Sequence, residues 1–235
     1  QTFNVTMTIN PGGYTSTKQV TGLAADQTAN VTFDSWTPTT GSFTAKAYTQ
    51  LAGDQNPAND TLSRTALVVT YIYDNGPLVT HPGGGFGGAD LSALQAEFNT
   101  LGWGAQLSAN NWITDDFTIP GNETWSIDAF KFFSYQTGST TTSTYNGARV
   151  VIYNGRPDLP TSTVVFGDET TERYISSSWT GIYRATVAAP TGSTRPIMSV
   201  LSGAPTVLGP GNYWVMWTLN GTLTSGPWAP PISIL

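Results

Sequence analysis

Trp125-Ser126-Ile127-Asp128-Ala129-Phe130-Lys131-Phe132-Phe133-Ser134-Tyr135 is the stretch on which the fold turns. In an extended strand successive side chains alternate between faces, so Trp125, Ile127, Ala129, Phe133 and Tyr135 share one side. Phe130 and Phe132 make the opposite side apolar too. A strand greasy on both sides is central in its sheet or covered by another element. Tyr213-Trp214-Val215-Met216-Trp217-Thr218-Leu219 repeats the pattern. Two such strands call for layers packed face to face.

Working outward, the β-branched run Ala148 to Tyr153 ends at the turn Asn154-Gly155, and Asp115-Asp116-Phe117-Thr118-Ile119-Pro120 alternates as a half-buried strand. Thr163 to Phe166, Ile182 to Val187 and Ile197 to Leu201 supply further strands. Asp90 stands as an N-cap before Leu91 to Phe98, where Leu91, Leu94, Gln95 and Phe98 fall on one face of a short helix. Together these elements predict a two-sheet β-sandwich of jelly-roll type over residues 71–235, with that one helix covering an open end or edge.

Residues 1–70 read as a separate, smaller module. Phe3, Val5, Met7 and Ile9 alternate with polar residues and stop at Asn10-Pro11-Gly12-Gly13. Strands are expected at Lys18 to Leu23, Ala29 to Phe33, Phe43 to Tyr48 and Leu62 to Val69, which makes a small β-sandwich. Its Asp54, Asn56, Asn59 and Asp60 place oxygens in one loop. They lack the spacing of an EF-hand, and they serve equally well to satisfy loop backbone.

Composition agrees with an all-β chain and excludes several functions. Only 10% of the 235 residues are charged, while 38 are Thr, 25 Gly and 15 Pro, the residues of strands and turns. Eight Trp, ten Tyr and ten Phe supply the apolar area that a disordered chain lacks. The net charge is −6, without a basic run, so neither nucleic acid nor an anionic membrane surface is an expected partner. No apolar run is long enough to span a bilayer. Without cysteine the chain has no disulfide, thiolate nucleophile or cysteine-held zinc. No leader precedes the first strand, the state expected of an exported chain after its leader has been removed.

The first module, through Gly22-Leu-Ala-Ala-Asp-Gln-Thr-Ala29, the following Val-Thr-Phe, the strand Thr-Gly-Ser-Phe-Thr-Ala and the loop Asp54 to Asp60, resembles the small immunoglobulin- or fibronectin-like adhesion-related domains of bacterial exported proteins. The second, through Tyr73-Asp74-Asn75-Gly76, Asp115-Asp116-Phe117, Trp125-Ser126-Ile127, Val151 to Gly155, Gly211 to Val215 and Gly226-Pro227-Trp228, resembles a β-sandwich unit recurring in large secreted bacterial proteins. The resemblance implies an extracellular or cell-surface location and contact with other domains or subunits. It carries no catalytic pattern.

The residues themselves offer little chemistry. His81 is the one histidine, and no Gly-x-Ser-x-Gly accompanies it. His81-Pro82-Gly83-Gly84-Gly85-Phe86-Gly87-Gly88 lacks the Gly-Lys-Ser/Thr of a phosphate loop and reads as a tight surface loop. Glycosidases need two carboxyl groups at a set separation, but Asp115 and Asp116 point to opposite faces of one strand, and Asp168-Glu169 reads as a turn. The expectation is a non-enzymatic structural or adhesive module. Asp74, Asp116, Asp128 and Asp168 are candidates for a structural calcium ion, set against their reading as hydrogen-bonded turn residues. Trp179, Trp214, Trp217 and Trp228 are candidates for a protein interface or for stacking on a glycan, with core packing as the alternative. The apolar end Trp228 to Leu235 is either the sandwich's last strand or a strand that completes a neighbour's sheet.

Overall fold

The computed structural model describes residues 1–39, 41–68, 71–95 and 99–232. Among these the chain is all-β, with no helix of seven or more residues. It divides into two compact units, Gln1–Tyr73 and Asp74–Leu235.

In the first unit β1 (Phe3–Asn10), β2 (Tyr14–Val20), β3 (Gly41–Gln50) and β4 (Thr61–Val68) form one antiparallel sheet in the order β2-β1-β3-β4. The register gathers Val5, Met7, Ile9, Ala45 and Ala47 on one side, and Thr6, Thr8, Thr15, Thr17 and Thr44 on the other. β2 starts ahead of the expected Lys18, at Tyr14. Ala29–Phe33, expected as a strand, makes no ladder. The segment holding it is fastened by side chains instead. The Asp34 carboxylate accepts from Ser16 Oγ at 2.6 Å and from Lys18 Nζ at 2.5 Å, its carbonyl accepts from Tyr14 OH at 2.6 Å, and its N–H donates to Ser16 Oγ at 3.1 Å. Trp36 then packs edge-on against Phe43, with ring centres 4.9 Å apart.

The second unit holds two four-stranded sheets. One runs β10-β9-β13-β7, made of β10 (Val164–Gly167), β9 (Tyr145–Tyr153), β13 (Gly211–Gly221) and β7 (Ile113–Ile119), all antiparallel. The other runs β5-β11-β12-β8, made of β5 (Asp90–Leu94), β11 (Tyr174–Thr186), β12 (Pro196–Leu208) and β8 (Trp125–Ser134). Two short strands, β6 (Trp103–Gly104) and β14 (Trp228–Ala229), pair separately. Val150, Ile152, Val215, Trp217 and Leu219 of the first sheet share one buried cluster with Ile127, Phe132, Met198 and Val200 of the second. Trp217 stacks on Phe132 at 4.5 Å. Hydrophobic area removed from water between the two layers is what holds them together.

β13 is central, as its two-sided pattern implies. β8 is not: among the described residues it pairs with β12 alone and lies at an edge. Its apolar residues change sides because the register shifts between Gly203 and Thr206 of β12, opposite Asp128. Trp125 and Ile127 face the core before the shift, Phe130 and Phe132 after it. An extra residue in one strand re-aims the side chains of its neighbour.

The helix expected over Leu91 to Phe98 is corrected by the structure. Asp90–Leu94 is a strand, parallel to β11 with Leu91 opposite Tyr183, while Phe98 lies outside the described residues. Leu91 and Ala93 bury themselves against Ala185, and this long-range packing overrides a local helical spacing. Asp90 does not cap a helix: its Oδ1 accepts the Gly83 N–H at 2.8 Å and closes the glycine loop. Buried Arg184 secures β5 further, donating to Ala93 O at 2.8 Å, Ser92 Oγ at 3.0 Å and, across to the following segment, Leu101 O at 2.8 Å.

Candidate binding surface

The four candidate calcium ligands do not meet. Asp116 lies on β7 and Asp168 just beyond β10, on opposite edges of one sheet and three strand spacings apart, about 14 Å. Asp128 belongs to β8 in the other sheet. Asp74 turns back on its own loop, its Oδ1 accepting the Gly76 N–H at 3.0 Å. Among the described residues no three His, Asp or Glu side chains gather as a metal would require.

Asp168 shows what these carboxylates do instead. Its Oδ1 accepts from the Thr170 N–H at 2.8 Å, the Thr170 hydroxyl at 2.6 Å and the Thr171 N–H at 2.7 Å, and Oδ2 accepts from the Thr171 hydroxyl at 2.7 Å. These donors hold its carboxyl well below the usual carboxylate range. Glu172 clamps the same connection, its Oε1 taking the N–H groups of Ala148 at 2.7 Å, Arg173 at 3.0 Å and Tyr174 at 2.9 Å. In the first unit, Asp60 accepts the Thr49 hydroxyl at 2.6 Å and Asp54 accepts the Asn56 N–H at 3.3 Å, so that loop also spends oxygens on its own chain. Asp115 differs: burial pushes its carboxyl up, with the Asn75 amide donating to Oδ2.

The candidate tryptophans separate by environment. Trp217 is core. Trp214 and Trp228 are half-buried, Trp228 pairing through its backbone with Tyr135 and donating from Nε1 to Ser225 Oγ at 3.3 Å. Trp179 is 36% exposed and gives its indole N–H to Ile182 O at 3.3 Å. Sequence patterning missed Phe86, 50% exposed in the glycine loop, and the exposed Trp103 on β6. Phe86 was hidden because a single aromatic amid glycines carries no period.

Phe86 and Trp179 flank the same ring. Tyr183 lies 6.0 Å from Phe86, edge to face, and 5.4 Å from Trp179. A cavity of about 250 Å³ is lined by His81, Gly84, Leu91, Val187 and Pro190.

No protein-family model, no curated protein and no solved structure matches the chain.

What the molecule does is therefore read from its own side chains. A second exposed feature lies at the edge strand β10, whose one partner among the described residues is β9. Val164 and Val165 are exposed there, and Val164-Val165-Phe166-Gly167 carries no charge. Ile175 and Val207 add further exposed apolar side chains on β11 and β12.

Proposed function

We propose that the chain is a non-enzymatic structural or adhesive module of an exported, surface-associated bacterial protein, making contacts with other domains or subunits. The observation that supports this most is β10. Sheet edges that must stay single are blunted with charge, proline or a covering element. β10 instead offers an uncharged pair of exposed valines beside unpaired backbone groups, the chemistry by which an added strand extends a sheet. Light scattering over a concentration series tests this. Growth of the particle with concentration that Val165→Lys abolishes, at unchanged melting temperature, is the expected result; a monomer at every concentration, with or without candidate partner domains, would sink the reading.

A carbohydrate-binding accessory role in a secreted bacterial enzyme is the second reading. Exposed Phe86 and Trp179 favour it, because flat aromatic surfaces stack on sugar rings. Titration with cell-wall and plant oligosaccharides, followed at the Trp179 indole resonance, decides for or against it.

A further inference from the structure

The hydrogen bonds around Thr80 hold one edge of the one imidazole. The Thr80 hydroxyl donates to Leu91 O at 3.0 Å and accepts the Ala93 N–H at 2.8 Å. The same hydroxyl meets His81 Nδ1 at 2.9 Å, which occupies that edge of the ring in either tautomer. The other ring nitrogen, Nε2, has no hydrogen-bond partner among the described residues.

The surroundings are largely apolar and the loop is fixed, and the space opens to solvent on one side. Leu91, Val187 and Pro190 give the cavity apolar walls, and His81 is its one side chain able to form a hydrogen bond. The loop is tied on both sides: His81 and Leu91 exchange backbone bonds at 3.1 Å, and Gly85 N–H donates to Ala89 O at 2.8 Å. Gly84 and Gly85 are needed for this closeness, since a Cβ would stand 2.9 Å from His81 Cβ at the first and 2.9 Å from Ala89 O at the second. At about 250 Å³ the space exceeds the roughly 150 Å³ that encloses a benzene ring.

We propose that this cavity, lined by His81, Gly84, Leu91, Val187 and Pro190, binds a single aromatic ring bearing one hydroxyl, a phenol, whose hydroxyl, donor and acceptor alike, pairs with His81 Nε2. Leu91 of the cavity pairs in register with Tyr183, the ring that Phe86 and Trp179 flank. A sugar fits these groups less well. It presents hydroxyls around its whole rim and needs several unspent polar partners, whereas Asp90 is committed to Gly83, Thr80 is saturated, and the Trp179 N–H is given to Ile182. The phenol belongs either to a free small molecule or to a tyrosyl side chain of a peptide. The site is independent of the β10 edge.

Because the chain has one histidine, its imidazole Cε1–H gives a single, unambiguous NMR signal. Titrating the intact chain with 4-methylphenol moves that signal saturably, with a Kd on the order of 1 mM for so small a ligand. Val187→Trp, at an exposed position outside the core, fills the cavity and abolishes the shift while the rest of the spectrum keeps its dispersion. In His81→Phe, followed by saturation transfer from the ligand, 4-methylphenol binds about tenfold more weakly while toluene binds as before. N-acetyltyrosinamide that binds as well as 4-methylphenol assigns the phenol to a peptide; binding of 4-methylphenol alone assigns it to a small molecule. The proposal is overturned by no saturable shift up to about twenty times that Kd, by a shift that survives Val187→Trp, or by methyl glucoside binding where 4-methylphenol does not. Since light scattering reads the edge and this titration reads the cavity, either can fail without the other.

Discussion

The two units solve the problem of covering a sheet in different ways. In the second, a sheet faces a sheet, and the shared core draws on β7, β8, β9, β12 and β13 at once. In the first, the apolar side of β1 and β3 meets a strip of chain fastened through Asp34 and Trp36. Ile9 and Phe43 are its large buried apolar residues among those described, and Val5, Met7, Ala45 and Ala47 stay half-covered. One Thr-rich chain thus supports one unit held by buried area and another that leans on a polar latch. Small domains bury a lower fraction of their surface, so individual latching contacts carry more of the stability there.

That contrast can be broken deliberately. Trp217→Ala removes a core indole stacked on Phe132, and should destabilise the second unit by about 3–5 kcal/mol. Urea unfolding followed by far-ultraviolet circular dichroism should then show the sandwich transition moved to lower denaturant while hydrogen exchange in β1 and β3 is unchanged. Trp36→Ala takes away a half-buried ring, at about 1–2 kcal/mol, and should speed exchange in β2 and β3 with the β9 and β13 amides still protected. Equal loss of protection in both units from either variant would erase the distinction.

The smallest effect is also the most selective. Hydrogen bonds from Lys18 and Ser16 lower the Asp34 carboxyl below its ordinary value. A depressed folded value means that this contribution is fully present above the unfolded value, near pH 4, and is lost as pH falls through the folded one. Acidification from about pH 5 to 3 should therefore loosen β2. Asp34→Asn should lower protection at pH 5 and flatten the dependence, read as exchange rates of β2 amides corrected for intrinsic pH effects.

Much of the architecture is legible in residue patterns, and the departures have physical causes. β13 reads as central because Val215, Trp217 and Leu219 face one layer while Met216 and Thr218 are buried on the other side. β8 shows the same signature for a different reason: a register shift in β12 near Asp128, which alternation within β8 cannot reveal. Leu91, Leu94 and Gln95 have helical spacing, yet pairing with β11 decides their conformation from far along the chain. For the surface, the turn role of Asp168 is local and readable in Asp-Glu-Thr-Thr. The cavity is not, because it joins His81 and Leu91 to Val187 and Pro190 through a parallel pairing without a local sequence signal.

The position of β13 sets an order of events during synthesis. β7 and β9 both use β13 as their neighbour, so two strands made early wait for residues 211–221 before their sheet can join up. β5 waits in the same way for β11. Such distant pairings slow folding, since loop closure must be achieved before the contacts reward it. A nascent chain halted ahead of Gly211 would present several unfinished edges at once, rich in valine and aromatic side chains, and so would need protection from other chains until the last long strand arrives.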